Sequence, residues 1–86
     1  MRYEVSVSPS AKKELDRMPK AVQDRIIRAF DGLAENPRPH GCLKLEGTAN
    51  QYRIRVGDYR IVYSIDDDAV HVLVIHVRHR KDAYRR

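Results

Sequence analysis

The stretch from Gln51 to Tyr63, QYRIRVGDYRIVY, constrains this chain more than any other. Two runs of alternating apolar and polar residues flank Gly57-Asp58, a two-residue link with glycine at its first central position, as tight β-hairpins use. With Gly57 and Asp58 as the loop, Val56 faces Tyr59, Arg55 faces Arg60 and Arg53 faces Val62. A period of two then sets Tyr52, Ile54, Val56, Tyr59, Ile61 and Tyr63 on one face and Arg53, Arg55 and Arg60 on the other. Arg55 and Arg60 fall in a non-hydrogen-bonded pair, where opposed Cα atoms lie only about 4.5 Å apart. Like charges so placed destabilise a sheet. A bound polyanion is the simplest reason to gather three guanidinium groups on one face.

The flanking segments supply a partner for the apolar face. Arg2 to Val7 alternates and predicts a first strand. Ser8-Pro9 is a helix start, with Ser8 as cap and Pro9 at the first helical position, so Pro9 to Met18 reads as a short helix that stops before Pro19. A longer helix is expected from Lys20 to Glu35, with Val22, Ile26, Ala29, Phe30 and Leu33 as its apolar stripe. Asn36 to Gly41 is a proline- and glycine-punctuated loop, and Leu43 to Leu45 a brief extended piece. Asp66-Asp67-Asp68 reads as an acidic turn. Ala69 to Val77, with six large apolar side chains (Val70, Val72, Leu73, Val74, Ile75 and Val77) and high β-branched content, is expected to be a strand covered on both faces and central in its sheet. The fold class that results is α+β: β-α-α-β-β-β, a helical hairpin packed on one face of a mainly antiparallel sheet, in one domain spanning residues 1–86.

Composition narrows the function. Eighty-six residues give a single modest core, and 42% hydrophobic with 34% charged residues fits a globular protein rather than a disordered one. No apolar run is long enough to cross a bilayer and no signal-peptide pattern opens the chain, so no membrane association and a cytoplasmic location are expected. The single cysteine, Cys42, excludes an internal disulfide and lacks the partners of a zinc site. The net charge of +5 points to nucleic acid or an acidic protein as partner.

The terminal segment Arg78-His-Arg-Lys-Asp-Ala-Tyr-Arg-Arg86 leaves the last strand, and a continuous sheet would bring His79, Arg80 and Tyr84 near the basic face. These are the parts that metal-free RNA cleavage uses. Arginines hold a phosphate and stabilise the charge that grows on it, tyrosine stacks on a base, and histidine titrates near neutrality. Lys44, Arg78 and Lys81 are candidates to extend the phosphate track. Clustered carboxylates for a magnesium site are missing, because the three aspartates fall at the far end of the hairpin. No cofactor or metal is expected. Tyr52, Tyr59 and Tyr63 read as core, His71 and His76 as structural, and His40 receives no role.

The helical hairpin, NPRPHGCLKLEG, YRIRVGDYRIVY and the terminal HR-x(3)-Y together resemble the RelE/ParE superfamily of toxins from bacterial and archaeal toxin–antitoxin systems. The resemblance covers nearly the whole chain. It implies a β-α-α-β-β-β fold and, for RelE-like members, an mRNA interferase that enters the ribosomal A site and cuts the codon without a metal, the RNA's own 2′-hydroxyl being the nucleophile. By resemblance Arg53, Arg55, Arg60, Arg80 and Tyr84 take the site positions: Arg55 and Arg60 clamp the scissile phosphate, Arg80 lies near the leaving 5′-oxygen, and Tyr84 stacks on a base. The RelE pattern has lysine, a candidate general base, where this chain has Arg53. Arginine is a poor base at neutral pH, which leaves His79 or electrostatics alone to fill that role. The ParE branch shares the scaffold but inhibits gyrase, and in that case the basic face would be a docking surface. Either way, the resemblance implies a RelB-like antitoxin partner, whose amphipathic helix packs on the domain and whose acidic residues meet the basic site.

Overall fold

A computed structural model describes residues 2–83. The elements are β1 (Glu4–Val7), α1 (Pro9–Asp16), α2 (Lys20–Glu35), β2 (Leu43–Lys44), β3 (Gln51–Val56), β4 (Tyr59–Asp66), β5 (His71–His79) and the four-residue α3 (Arg80–Ala83). The sheet runs β1-β5-β4-β3-β2, with β1 parallel to β5 and every other pair antiparallel. The fold is α+β, two helices on one face of a five-stranded mixed sheet. No helix among the described residues is long and apolar enough to cross a membrane.

The β3–β4 hairpin has the register that its alternation predicts, with Val56 opposite Tyr59, Arg55 opposite Arg60 and Arg53 opposite Val62. Positive φ at Gly57 (+60°), and not at Asp58, is the signature of a II′ turn. The inward face of the sheet carries Ile54, Ile61, Tyr63, Ile65, Val72, Val74 and Val77, and these pack with Ala11 and Leu15 of α1 and Ile26, Phe30 and Leu33 of α2. Tyr63 is fully buried and its hydroxyl donates to the Pro37 carbonyl at 2.8 Å. Burial raises its pKa, as a phenol in an apolar core requires.

The last strand departs from expectation in three ways. It begins at His71, because Asp67–Val70 forms a four-residue loop, closed with Val70 at positive φ. β4, not β5, is central, and helices cover only one face, leaving Leu73 half-buried on the other. Finally, β5 carries a bulge: Val62 pairs with His76 but Tyr63 with Val74, so Ile75 is the extra residue. The bulge shifts the inward phase by one, from Val72 and Val74 to Val77. Two phases laid end to end look in sequence like a continuous apolar run.

β1 pairs only with the first half of β5, and α1 takes over the edge beyond it. The Ser8 hydroxyl accepts from Ala11 N–H (3.1 Å) as the α1 cap and donates to the Ile75 carbonyl (2.9 Å) at the bulge. Glu14 accepts the Val77 N–H through Oε1 (3.1 Å). Side chains of α1 thus satisfy a strand edge that would otherwise be open.

Candidate functional site

Two cross-strand rows build the basic face. Arg55 of β3, Arg60 of β4 and Arg78 of β5 are directly opposed in sequence across three strands, and Arg53, Val62 and His76 form the next row. The bulge at Ile75 is what places His76 and Arg78 there. In the phase of Val72 and Val74, both would face the helices. Arg60 is 8% exposed, whereas Arg55 and Arg78 are exposed.

A cavity of about 250 Å³ opens at the hairpin tip, lined by Arg55, Tyr59, Arg60, Arg80 and Lys81 with the Gly57-Asp58 turn. Arg80 and Lys81 lie in the first turn of α3, which is tied down by a bond from Arg80 N–H to the Asp58 carbonyl at 2.7 Å. On the other side of Arg60, a pocket of about 200 Å³ is lined by Leu45, Arg53, Arg60, Val62, His76 and Arg78. Glu14 borders it, its Oε2 accepting from Arg78 Nε at 3.1 Å and its Oε1 lying 3.6 Å from His76 Nδ1.

Two sequence candidates lie elsewhere. His79 pairs with Tyr59 and shares its face, away from Arg78; the rings meet edge-on at 5.2 Å and His79 Nδ1 accepts the Lys81 N–H. Lys44 pairs with Tyr52, not with Arg53, so the period of two turns it from the arginine rows. Tyr84 lies outside the described residues. Sequence reasoning gave no role to Glu14 and treated His76 as structural. No local signal marks the bulge that turns His76 outward, because apolar residues fill both phases of β5 and only strand pairing decides which face the helices.

A third, larger groove of about 630 Å³ runs between α2 and the β3 edge. Ala29, Gly32, Leu33, Leu43, Ile54 and Val56 give it apolar walls, with Arg53 and Arg55 at its margin. β2 pairs with Tyr52 and Arg53, so the β3 edge from Ile54 to Val56 extends past its start at Leu43, and Leu43 is 53% exposed.

The acidic turn lies at the opposite end of the sheet. Asp67 accepts both terminal nitrogens of Arg38 (3.2 and 2.9 Å) and the Tyr3 hydroxyl (2.7 Å). The Arg38 bonds first, and then the Tyr3 bond, hold its carboxyl below the ordinary aspartate value. Asp67 therefore serves a structural network, and Asp66 accepts the Ala69 N–H within the turn. Among the described residues, no group of three histidines, cysteines or carboxylates could hold a metal ion.

Comparison with known proteins assigns the architecture. The family described as ParE toxin of type II toxin-antitoxin system, parDE, matches residues 5–84. Toxin RelG of Mycobacterium tuberculosis is 32% identical over the full length of both chains. The mRNA interferase toxin RelE of Escherichia coli K12 is 31% identical, over 98% of this chain and 92% of that one. The archaeal RelE–RelB complex from Pyrococcus horikoshii contains a chain with a TM-score of 0.83 and 33% identity, covering 93% of this chain and 97% of the other. A fold shared over such lengths makes this a toxin of the toxin–antitoxin class, RelE-like in its relatives. The chain belongs to the RelE/ParE toxin family.

Proposed function

We propose that this toxin is a ribosome-dependent mRNA endonuclease that acts in the cytoplasm, cutting the codon in the A site without a metal. The observation that carries the reading is the convergence of Arg55, Arg60 and Arg80 on one cavity beside the II′ turn. Guanidinium groups there can grip the non-bridging oxygens of a phosphodiester and stabilise the extra negative charge of its transition state. The 2′-oxygen bonds to phosphorus and the bond to O5′ breaks, leaving a 2′,3′-cyclic phosphate and a 5′-hydroxyl. The 2′-hydroxyl gives up one proton and O5′ gains one. Arg53 is a poor base and His79 is turned toward Tyr59, so electrostatic stabilisation supplies the main acceleration, with Tyr84 stacking on a base. The name of the Escherichia coli relative, mRNA interferase, supports the same chemistry.

Primer extension on messages from expressing cells tests this. Codon-phased cuts that disappear in Arg55→Ala and Arg60→Ala support it. Intact messages with damaged DNA would instead support the ParE-type reading, gyrase inhibition; the description of the matching family names ParE. In both readings a RelB-like antitoxin is the cognate partner. An amphipathic helix fits the apolar groove between α2 and β3, and acidic residues on it would meet Arg53 and Arg55 at the margin.

A further inference from the structure

We propose that the pocket walled by Arg53, Arg60, His76 and Arg78 is a second phosphate subsite, which takes the backbone phosphate adjoining the one cut, and that Glu14 positions Arg78 for it. The proposal rests on the nuclease reading above.

The two basic cavities share Arg60 as a wall, so an anion in one adjoins an anion in the other. Consecutive phosphates of a single strand meet that requirement, whereas an isolated anion leaves one cavity unused. The second pocket also has an apolar part, Leu45 and Val62, beside its cationic side chains. That pairing suits a ribose with its phosphate better than a free inorganic ion.

Arg78 is held in a way that leaves its recognition fork available. Its Nε donates to Glu14 Oε2, and among the described residues its two terminal nitrogens make no bond to protein. Those two nitrogens are the ones that bind a phosphate bidentately. Glu14 does not depend on Arg78 for its own position, because its Oε1 is fixed by the Val77 N–H. His76 completes the wall. Its Nδ1 is buried, makes no hydrogen bond and faces the same Glu14 oxygen at 3.6 Å. A bland reading makes Glu14–Arg78 a strap that holds α1 on β5. A half-exposed pair adds little as a strap, and the strap leaves unexplained why a third arginine is set beside Arg60.

The test is a cycle between protein and substrate, read by single-turnover cleavage on programmed ribosomes. One message carries native phosphates; two others carry a neutral methylphosphonate immediately before or after the cut. Arg78→Ala should slow cleavage of the native message about tenfold, the scale of a lost charge-assisted bond. One of the two methylphosphonate messages should slow the wild-type protein equally and slow Arg78→Ala no further. Arg78→Lys keeps the charge without the fork and should recover only part of the rate. Glu14→Ala should also slow cleavage although it makes the protein more positive, and faster cleavage would overturn its positioning role. An unchanged rate in Arg78→Ala, or losses that multiply at both positions, would overturn the subsite. Thermal melting of each variant shows that it is folded. If the wild-type protein cuts nothing, the nuclease reading fails, a result distinct from failure of the subsite.

Discussion

Gly57 answers two demands at once. Its φ of +60° is a conformation that costs an L-residue about 1–2 kcal/mol, and a Cβ there would stand 2.7 Å from Arg25 Nη2. The guanidinium can swing aside, so backbone strain decides the outcome, and Gly57→Ala should destabilise by about 1–2 kcal/mol. Gly32 is the control. It lies exposed inside α2 with nothing within 4 Å of an added Cβ, so Gly32→Ala should stabilise by about 0.5–1 kcal/mol. Urea unfolding of the two variants, the same chemical change with opposite signs, checks both. Asp67 makes a prediction in pH. Its folded pKa lies below the unfolded value, so its network stabilises fully above about pH 4 and that stability is lost as pH falls through the folded value. Asp67→Asn should flatten the acid limb of the melting-temperature profile. The residue is exposed, so salt should shrink the difference, and an acid limb identical to wild type would mean that the pairing adds nothing.

The join between α1 and β5 turns on one side chain. Ser8 caps the helix and also satisfies the carbonyl of the bulged Ile75, so Ser8→Ala removes two bonds. The expected loss is about 2 kcal/mol, the upper end for a cap, and Ser8→Thr, which keeps the hydroxyl, should restore most of it. A loss confined to about 0.5 kcal/mol would show that the bulge holds without the serine. These elements also show what the sequence makes legible. The bounds of α2 and the β3–β4 register follow from strong local periods, with no distant contact needed to settle them. The bulge does not, because it is fixed by Ser8 and Glu14, more than sixty positions away in the chain. His79 and Lys44 were misplaced for a related reason: proximity in sequence to basic residues says nothing about face until pairing is known. Conversely, His76 and Arg78 reach the basic face only through that same bulge.

Across the molecule, charge is arranged against stability at one end and for it at the other. The Asp67 end sets one carboxylate against Arg38, whereas the tip end sets three arginines, Arg55, Arg60 and Arg78, side by side, with Glu14 bonded to Arg78. A like-charged pair directly opposed in a sheet costs about 0.2–1 kcal/mol, so the row carries a penalty that bound phosphate would relieve. Arg55, which is exposed and, unlike Arg78, is not bonded to Glu14, gives the cleanest reading. Arg55→Ser should raise unfolding stability by about 0.5 kcal/mol in 10 mM salt, where the Debye length is about 30 Å. The gain should vanish in 1 M salt, where that length falls to about 3 Å. The same variant should no longer cut messages on programmed ribosomes. Stability gained as cleavage is lost is the pattern of a site held under repulsion for a ligand's sake. A variant no more stable than wild type at low salt would show that the row is not strained, and the first physical argument for a polyanion at this face would go with it.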